Sequence, residues 1–303
     1  MSDYDRSDGW TARIRGVVAA PLTPFDARGG LDLDAVPGLV DFLLRGGVAG
    51  LMVGGTTGEF VALDRAERAA VLDAFIEAVD GRVPVIAHVG HVHVTGAREL
   101  AEHAARVGAD ATTALTPYYH RASAGAISRY FRDLARTTPQ LPFFVYNYPD
   151  AAGNPVAFEL FEDLLDVPNV AGVKLSVGTF EELEPYLALD DELCVMSGND
   201  GLAPRFVRAG GRAVVSGNAA AFPDVISALV GALLSGEEDG VEAAWQRTLT
   251  IIELGRSGAP DRLRDLLAAR GIDLGPARIR TFIDEDVPAD HAAALRHLLD
   301  ELA

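Results

Sequence analysis

The sequence is poor in several features that define large classes of proteins. Among 303 residues it has one cysteine, Cys194, and a single thiol cannot form a disulfide within the chain. No apolar run approaches the ~20 residues that a membrane-spanning helix needs. The first ten residues are polar and acidic and lack the apolar segment of a secretory signal. These absences predict a cytoplasmic protein that is not embedded in a membrane.

Positive charge is also scarce. The chain has 26 Lys and Arg residues against 44 Asp and Glu residues, which gives a net charge of −18. The field of such a surface repels polyanions, so we expect no nucleic-acid partner. A small anionic substrate is still compatible with the composition, because a site can be locally positive.

What the sequence does contain is a repeated pattern. Hydrophobic residues make up 49% of the chain. From about residue 14 to residue 220, a short apolar run, a turn rich in Gly, Thr or Asn, and an amphipathic segment follow one another. The apolar runs are Gly16–Ala20, Gly50–Val53, Val83–Ala87, Ala111–Leu115, Phe143–Tyr146, Val170–Lys174, Leu193–Met196 and Ala213–Val215. They are almost continuously hydrophobic, which is typical of parallel strands covered on both faces.

Helical patterns separate the apolar runs. Asp64 and Glu67 form a capping box that opens a predicted helix ending at Val79, and similar amphipathic segments cover Thr95–Val107 and Ser123–Arg136. Strands that alternate with helices indicate βαβ units. Eight such units predict a closed (β/α)8 TIM barrel over residues 14–221 rather than an open doubly wound sheet. No Gly-x-Gly-x-x-Gly follows the first run, which argues against a dinucleotide-binding fold.

The pattern changes after residue 221. The remaining chain has helical periodicity and no strand-like run of comparable quality, and the predicted helices are Pro223–Ser235, Gly240–Arg256, Pro260–Arg270 and Ala289–Leu302. We therefore expect residues 222–303 to form a C-terminal helical extension packed on the barrel, and not a second catalytic domain.

The chemistry of such barrels lies where strands end, and the sixth run ends at Lys174 between valine and leucine. Burial there would disfavour the ammonium form and lower the pKa of the amine, which leaves free amine to attack a ketone. Alternatively, the side chain extends along the barrel rim and exposes its ammonium group to solvent. The local pattern fits both interpretations.

A glycine- and threonine-rich turn follows the second run, with the sequence Gly54-Gly55-Thr56-Thr57-Gly58-Glu59. Glycine lets the backbone approach a ligand closely, and backbone N–H groups with threonine hydroxyls can hold a carboxylate. The same composition also suits an ordinary strand-to-helix turn.

Tyrosines and histidines follow other runs. Tyr146 ends the fifth run, where its phenol could transfer a proton or simply bond to the backbone. Tyr118 and Tyr119 follow the fourth run and are also compatible with core or interface aromatics. The histidines after the third run, His88, His91 and His93, have no carboxylate or cysteine at a supporting spacing. We expect them to be solvated loop residues, with no metal site.

Taken together these motifs resemble one family. Gly-Gly-Thr-Thr-Gly-Glu, Pro-Tyr-Tyr, Tyr-Asn-x-Pro and Gly-Val-Lys occur in the order and spacing of the dihydrodipicolinate synthase/N-acetylneuraminate lyase family, the class I pyruvate aldolases. Ser197-Gly198-Asn199-Asp200 and Val215-Ser216-Gly217-Asn218 are also similar to motifs of this family. The resemblance extends over nearly the whole chain.

The resemblance implies a role for each matching position. Lys174 corresponds to the lysine that forms a Schiff base with pyruvate, a 2-oxo acid, and Tyr146 to the tyrosine that relays protons. Thr56 corresponds to the threonine that links this tyrosine to a second one, Tyr119, which synthases of the family supply from a neighbouring subunit. The substrate-binding positions implied are Gly55, Thr57, Gly198 and Val215, with Thr57 at the pyruvate carboxylate. The resemblance further implies an aldehyde as second substrate, no cofactor other than the lysine imine, and a homodimer or homotetramer.

One position departs from the synthase pattern. Dihydrodipicolinate synthases usually have an arginine two residues after the proline of Tyr-Asn-x-Pro, and it holds the carboxylate of aspartate semialdehyde. Here Ala151 occupies that position beside Asp150. The loss of a charged anchor from a partly buried site costs on the order of 2–5 kcal/mol. The sequence around Gly153 is closer to that of 2-keto-3-deoxy-sugar-acid aldolases.

Several functions remain open at this point. The first is a pyruvate-dependent aldolase or lyase acting on a 2-keto-3-deoxy sugar acid, and the second is a dihydrodipicolinate synthase with an altered anchor. A dehydratase or hydratase-aldolase of the same family is a third. The fourth, of another class, is a non-catalytic relative that binds a keto acid, and the joint presence of Lys174, Tyr146, Thr56 and Tyr119 argues against it.

Overall fold

The computed structural model describes residue 4 and residues 9–256, 258–279 and 291–302. Eight short strands form its centre: β1 Gly16–Ala19, β2 Gly50–Val53, β3 Val85–His88, β4 Ala111–Leu115, β5 Phe143–Asn147, β6 Val170–Leu175, β7 Cys194–Ser197 and β8 Ala213–Ser216. Each strand pairs in parallel with the next, and β8 pairs with β1. The sheet is therefore closed, and the predicted (β/α)8 barrel is confirmed.

Helices lie before, between and after the strands. Their bounds are α1 Trp10–Arg13, α2 Val36–Arg45, α3 Arg65–Val79, α4 Val94–Val107, α5 Ala124–Thr137, α6 Pro149–Ala152, α7 Phe158–Leu164, α8 Glu184–Leu187, α9 Ala203–Arg208, α10 Pro223–Ser235, α11 Val241–Leu254, α12 Pro260–Ala269 and α13 His291–Leu302. The predicted capping box is present at the start of α3, where Asp64 and Glu67 exchange side-chain to backbone bonds. No helix in the described ranges is long and apolar enough to cross a membrane.

The interior of the barrel is closed at the end opposite the strand carboxyl termini. Helix α1 precedes β1 and places Trp10 against Phe144 of β5, with ring centroids 5.5 Å apart in an edge-to-face arrangement. Both side chains are fully buried, together with Val18, Met52 and Met196 in the barrel interior. This packed floor leaves the carboxyl ends of the strands as the open side, where a site can form.

A buried ion pair holds the C-terminal part of the chain against the barrel. Arg264 of α12 donates a 2.6 Å hydrogen bond to Glu59, and neither side chain is more than 5% exposed. The second carboxylate oxygen of Glu59 accepts bonds from the backbone N–H groups of Arg278 and Ile279. Arg264 also donates to the Thr23 carbonyl. Because Glu59 ends the glycine- and threonine-rich turn, the C-terminal segment and this turn share one buried network.

Helix α10 follows β8 and packs against β1, α2 and α9 around the barrel. The division of the chain at residue 222 stays a prediction from the sequence pattern. Below, the name C-terminal helices is used for α11, α12 and α13. The predicted helix Ala289–Leu302 is present from His291 onward, and its first two residues lie outside the described ranges.

Several element boundaries differ from the sequence prediction by one or two residues, and for β3 and α11 the reason is clear. Strand β3 begins at Val85, after Pro84, because proline has no N–H to donate to the sheet. It extends through His88, whose ring is accommodated inside the molecule. Helix α11 ends at Leu254 instead of Arg256, since Arg256 has a positive φ of 46° that a right-handed helix cannot contain.

Candidate active site

Lys174 and Tyr146 lie side by side at the open end of the barrel. They are direct partners in the parallel register of β5 and β6, so both side chains project from the same face of the sheet. The Lys174 Nζ atom lies 3.9 Å from the centre of the Tyr146 ring. Lys174 is 7% exposed and Tyr146 is 1% exposed. The amine is therefore held inside the molecule, and of the two interpretations the extended, solvent-exposed lysine is wrong.

The Tyr146 hydroxyl is part of a small polar network. It lies 3.3 Å from the Thr56 hydroxyl, with either atom able to donate, and it also interacts with Ser176 and Lys174. Burial by itself raises the pKa of this phenol, but the Lys174 charge and these hydrogen bonds outweigh it, so the pKa of Tyr146 lies below its ordinary value. A phenol with a lowered pKa in contact with an amine is suited to moving protons.

Seven of the eight predicted site residues line one cavity of about 440 Å³. These are Gly55, Thr56, Thr57, Tyr146, Lys174, Gly198 and Val215. The eighth, Tyr119, is not among them: its side chain is 89% exposed, and its backbone has an uncommon positive φ of 77°. The volume lies within the range of about 300–1,000 Å³ found for small-molecule sites.

Because Gly198 has no side chain, it leaves the space that the Lys174 side chain occupies. A Cβ atom added there would lie 2.8 Å from Lys174 Cε and 2.3 Å from the Ser176 hydroxyl oxygen. Any side chain at this position would displace Lys174, which gives a physical reason for glycine in the turn after β7.

An acidic side chain, that of Asp200, also lines the cavity. Asp200 is buried, and one of its carboxylate oxygens accepts hydrogen bonds from Ser216 and Asn218, each at 2.8 Å. Burial raises the pKa of Asp200, although these two bonds and the Lys174 charge oppose the shift. The Asp200 carboxyl is therefore fixed in position, and its negative charge is disfavoured.

A sequence model described as the dihydrodipicolinate synthetase family matches residues 13–286. The chain belongs to this family. Its membership makes it a lyase-type enzyme, and the family resemblance of the motifs is confirmed.

Individual members of the dihydrodipicolinate synthetase family are similar along most of the chain. The 4-hydroxy-tetrahydrodipicolinate synthase of Bacillus subtilis (strain 168) is 32% identical over 266 residues, 87% of this chain and 91% of the relative. That of Synechococcus sp. (strain CC9605) is 37% identical over 229 residues, 75% of each chain. The solved structure of Ruminococcus gnavus sialic acid aldolase superimposes with a TM-score of 0.87 at 25% identity, covering 95% of this chain and 98% of that one.

The expectation that His88 is a solvated loop residue is wrong. Its ring is buried at the end of β3, where the Leu115 N–H donates to Nε2 and Nδ1 lies 2.9 Å from the Gly54 carbonyl. Since a backbone N–H can only donate, Nε2 accepts, and the neutral ring carries its hydrogen on Nδ1. His88 thereby connects the ends of β2, β3 and β4. The centroid of its ring lies 6.0 Å from the centroid of the Tyr146 ring.

The other two histidines are nearer the surface, and His93 caps α4 by accepting from the Gly96 N–H. Within the described part of the chain, no cluster of three or more His, Cys, Asp or Glu side chains could hold a metal ion.

Replacing His88 should change how stability depends on pH. Burial, with the charges of Arg68 and Lys174, holds the pKa of His88 well below its usual value, whereas in the unfolded chain it titrates near 6.5. Below that pH the unfolded chain binds a proton that the folded chain does not, so stability falls as pH falls. Between pH 7.5 and 5.5 this single group therefore lowers the free energy of unfolding, by on the order of 1 kcal/mol.

We expect the His88→Asn variant to be less stable at pH 7.5 but to lose this part of the pH dependence. Urea denaturation of the wild type and variant at both pH values measures the difference. His120→Asn, at an exposed histidine, is the matched control. An unchanged pH dependence in His88→Asn would contradict a buried neutral ring.

Some residues of the site were missed by the sequence reasoning. Ser176 is two positions after Lys174, and the two-residue period of a strand was a signal that both side chains share a face. Asp200 belongs to the Ser-Gly-Asn-Asp motif, for which the family resemblance implies a role at Gly198 and none at Asp200. Arg256 lines the cavity, whereas the sequence pattern places it at the end of the predicted helix Gly240–Arg256.

The clearest missed signal is that Lys174 is the one lysine in the chain; the other members of the 26 Lys and Arg residues are all arginine.

Proposed function

We propose that this protein is a Schiff-base-forming, pyruvate-dependent aldolase or lyase that cleaves or forms a 2-keto-3-deoxy sugar acid. The observation that carries the proposal is the position of the Lys174 amine, whose Nζ atom lies 3.9 Å from the centre of the Tyr146 ring. The cavity around this pair also contains the Thr56–Thr57 turn. Covalent catalysis by lysine needs an amine that is shielded from water and has a proton-transfer group beside it. The pair meets both conditions.

In the cleavage direction, the Lys174 amine attacks the ketone of the sugar acid, and loss of water gives an iminium ion. The C3–C4 bond then breaks, its electron pair passes to the iminium to give an enamine, and the C4 hydroxyl proton passes to Tyr146. The C4 fragment leaves as an aldehyde. Protonation of the enamine and hydrolysis of the imine release pyruvate and regenerate the lysine. The Thr57 hydroxyl and nearby backbone N–H groups hold the carboxylate throughout.

The loop after β5 supports a sugar-derived aldehyde as the second substrate. Asp150 lines the cavity, and the neighbouring Ala151 offers no charge to a carboxylate on that side. A carboxylate side chain accepts hydrogen bonds from hydroxyl groups, which a sugar-derived substrate supplies. The structural similarity to a sialic acid aldolase supports the same substrate class.

A second candidate is a 4-hydroxy-tetrahydrodipicolinate synthase that condenses pyruvate with aspartate semialdehyde. The names of the curated relatives support it. The synthase function requires a cation to hold the carboxylate of the semialdehyde. Ala151 occupies the position where synthases of the family usually have an arginine, so another residue would have to supply this cation. A non-catalytic keto-acid-binding protein is a candidate of another class, and the enclosed Lys174–Tyr146 pair weighs against it.

The exposure of Tyr119 supports an oligomer. We infer that a homodimer or homotetramer inserts Tyr119 into the site of a neighbouring subunit, where Thr56 would connect it to Tyr146. A side chain that is 89% exposed on a backbone of positive φ suits a residue that acts in trans. Light scattering tests the assembly, and a stable monomer would refute this role for Tyr119.

Reductive trapping tests the proposed function. The protein is incubated with pyruvate and borohydride, and the adduct is located by peptide mass analysis. We expect one adduct, on Lys174, and its absence would refute every Schiff-base mechanism with pyruvate. Turnover of aspartate semialdehyde is then compared with that of sugar-derived aldehydes such as glyceraldehyde. Efficient use of the semialdehyde in preference to the sugar-derived aldehydes would support the synthase instead.

A further inference from the structure

The glycine- and threonine-rich turn after β2 ends in a carboxylate that solvent does not reach. The Glu59 side chain is 0% exposed, and both of its oxygens accept hydrogen bonds. Oε1 accepts from Arg264 of α12 at 2.6 Å. Oε2 accepts from the backbone N–H groups of Arg278 and Ile279 at 2.7 and 2.9 Å. All three donors lie more than 200 positions away in the sequence, so the C-terminal segment fixes this carboxylate.

Backbone hydrogen bonds transmit this fixed position to the two threonines of the turn. The Glu59 N–H donates to the Thr56 carbonyl at 3.0 Å, and the Phe60 N–H donates to the Gly55 carbonyl. Residues 55–60 therefore form one hydrogen-bonded turn. A displacement of Glu59 would displace Thr56 and Thr57 as well.

Arg264 also attaches the turn to the loop after β1. Its Nη2 atom donates both to Glu59 and to the Thr23 carbonyl, at 2.6 and 2.7 Å. The Thr23 hydroxyl donates to the Gly58 carbonyl at 2.7 Å, and Arg264 Nη1 donates to the Leu274 carbonyl. One buried arginine therefore holds the turn directly through Glu59 and, by way of Thr23, through Gly58.

The backbone conformation at Glu59 indicates that this side chain has a use. Its φ is 58°, a left-handed conformation that is strained for an L-amino acid and that glycine adopts freely. Burial of a carboxylate adds a desolvation cost that only complete hydrogen bonding offsets. A glycine here would avoid both costs, but it would leave the turn without its bonds to the C-terminal segment.

Attachment of the C-terminal helices to the rest of the chain does not by itself require Glu59. Arg270, which directly follows α12, donates to both carboxylate oxygens of Asp224 in α10. That pair is partly exposed and lies outside the turn. The Glu59–Arg264 pair differs because it is enclosed and because one of its members belongs to the turn that contains Thr57.

We propose that Glu59 and Arg264 are positioning residues that hold the Thr56–Thr57 turn in the geometry that binds the pyruvate carboxylate. Neither of these two described side chains lines the cavity, so they act through the turn. A misplacement of about 1 Å at a binding group can cost on the order of 10²-fold in rate, even when its cause is distant. This inference rests on the proposed function, in which the turn holds the carboxylate of the 2-oxo acid. It adds that the C-terminal segment completes the pyruvate site.

Glu59→Gln tests the inference with little change of shape, and Arg264 keeps its bonds to the Thr23 and Leu274 carbonyls. We expect the KM for pyruvate to rise by about 10- to 10²-fold, because the binding of one substrate group is weakened. The kcat at saturating pyruvate and the KM for the aldehyde should change little. Asp224→Asn, which removes the other ion pair, is the matched control and should keep the wild-type KM for pyruvate. A loss confined to kcat is what a smaller folded fraction produces, and it would overturn the inference.

Trapping with a ketone that lacks the carboxylate distinguishes the turn from the lysine. Acetone has a methyl group where pyruvate has its carboxylate, and either ketone can form an imine that borohydride reduces. At subsaturating concentration, Glu59→Gln should trap pyruvate more slowly than the wild type and trap acetone at the wild-type rate. An equal decrease for both ketones would place the defect at Lys174 instead of the turn, and would overturn the inference.

Arg264→Lys is a second variant that decides the question if Glu59→Gln does not fold. Lysine keeps the charge that pairs with Glu59 but lacks the fork that also bonds Thr23. We expect the KM for pyruvate to rise by a smaller factor than in Glu59→Gln, and a wild-type KM in the folded variant would overturn the inference. If the wild type itself gives no adduct with pyruvate and borohydride, the proposed function fails and the inference fails with it. An adduct in the wild type with an unchanged KM in both variants refutes the inference alone.

Discussion

Replacing Lys174 with arginine is expected to lower turnover by on the order of 10⁴-fold or more, because covalent catalysis is lost with the amine. Arginine retains the positive charge beside the Tyr146 ring, but its guanidinium does not deprotonate in proteins and cannot attack a ketone. The variant should therefore give no adduct with pyruvate and borohydride. Steady-state kinetics with a 2-keto-3-deoxy acid and intact-mass analysis measure both effects.

A second substitution separates the nucleophile from the charge. Lys174→Met removes both, and loss of the cation should raise the pKa of Tyr146, since the Lys174 charge is the main factor that lowers it. Ultraviolet titration of the phenol would detect this rise in Lys174→Met and its absence in Lys174→Arg. Both variants should be inactive. Substantial activity in either one would show that the reaction does not pass through an imine on this residue.

Tyr146→Phe is expected to lower kcat by about 10²–10⁴-fold, the usual contribution of a positioned acid–base group. The substitution removes the hydroxyl that lies 3.3 Å from Thr56, and it retains the ring that contacts Lys174 and stacks on Tyr148. The imine should still form slowly, so trapping with borohydride should succeed after long incubation. A slowly formed adduct in Tyr146→Phe, and none in the Lys174 variants, would distinguish the two kinds of defect.

The pH profile provides an independent measurement of the same role. If the phenolate accepts the C4 hydroxyl proton, wild-type cleavage rises with pH through the Tyr146 pKa, which lies below its ordinary value of about 10. Tyr146→Phe should lack this rise. Tyr118→Phe, at a tyrosine that does not line the cavity, is the matched control and should keep the wild-type profile. A rising limb that persists in Tyr146→Phe would assign the proton transfer to another group.

Much of the fold could be predicted because each strand has its own local signal. The runs at Ala111–Leu115 and Gly50–Val53 agree with β4 and β2 residue for residue. Counting eight apolar runs, with helical patterns between them, was enough to predict closure. The position of Lys174 at the end of the sixth run then followed from the rule that barrel sites form at strand carboxyl ends.

The parts that could not be predicted depend on contacts between distant segments. The ring of His88 is buried because Gly54 and Leu115 supply its partners, and nothing in the local sequence around His88 indicates that they do. Arg256 lies over the cavity because its turn packs on the end of β8. A local helical pattern extended the predicted helix through this residue, and only the packing shows where the helix ends.

The single lysine on a buried strand has a practical consequence for measuring the opening of the barrel. An endoprotease that cleaves only after lysine has one target bond in this sequence, between Lys174 and Leu175 in β6. A protease must take its substrate in an extended, accessible form, so this bond can be cut only when β6 separates from its neighbours. When reclosing is faster than cleavage, the cleavage rate reports the population of the opened barrel. A reduced pyruvate adduct would remove even that one target, so digestion would distinguish modified from unmodified chains.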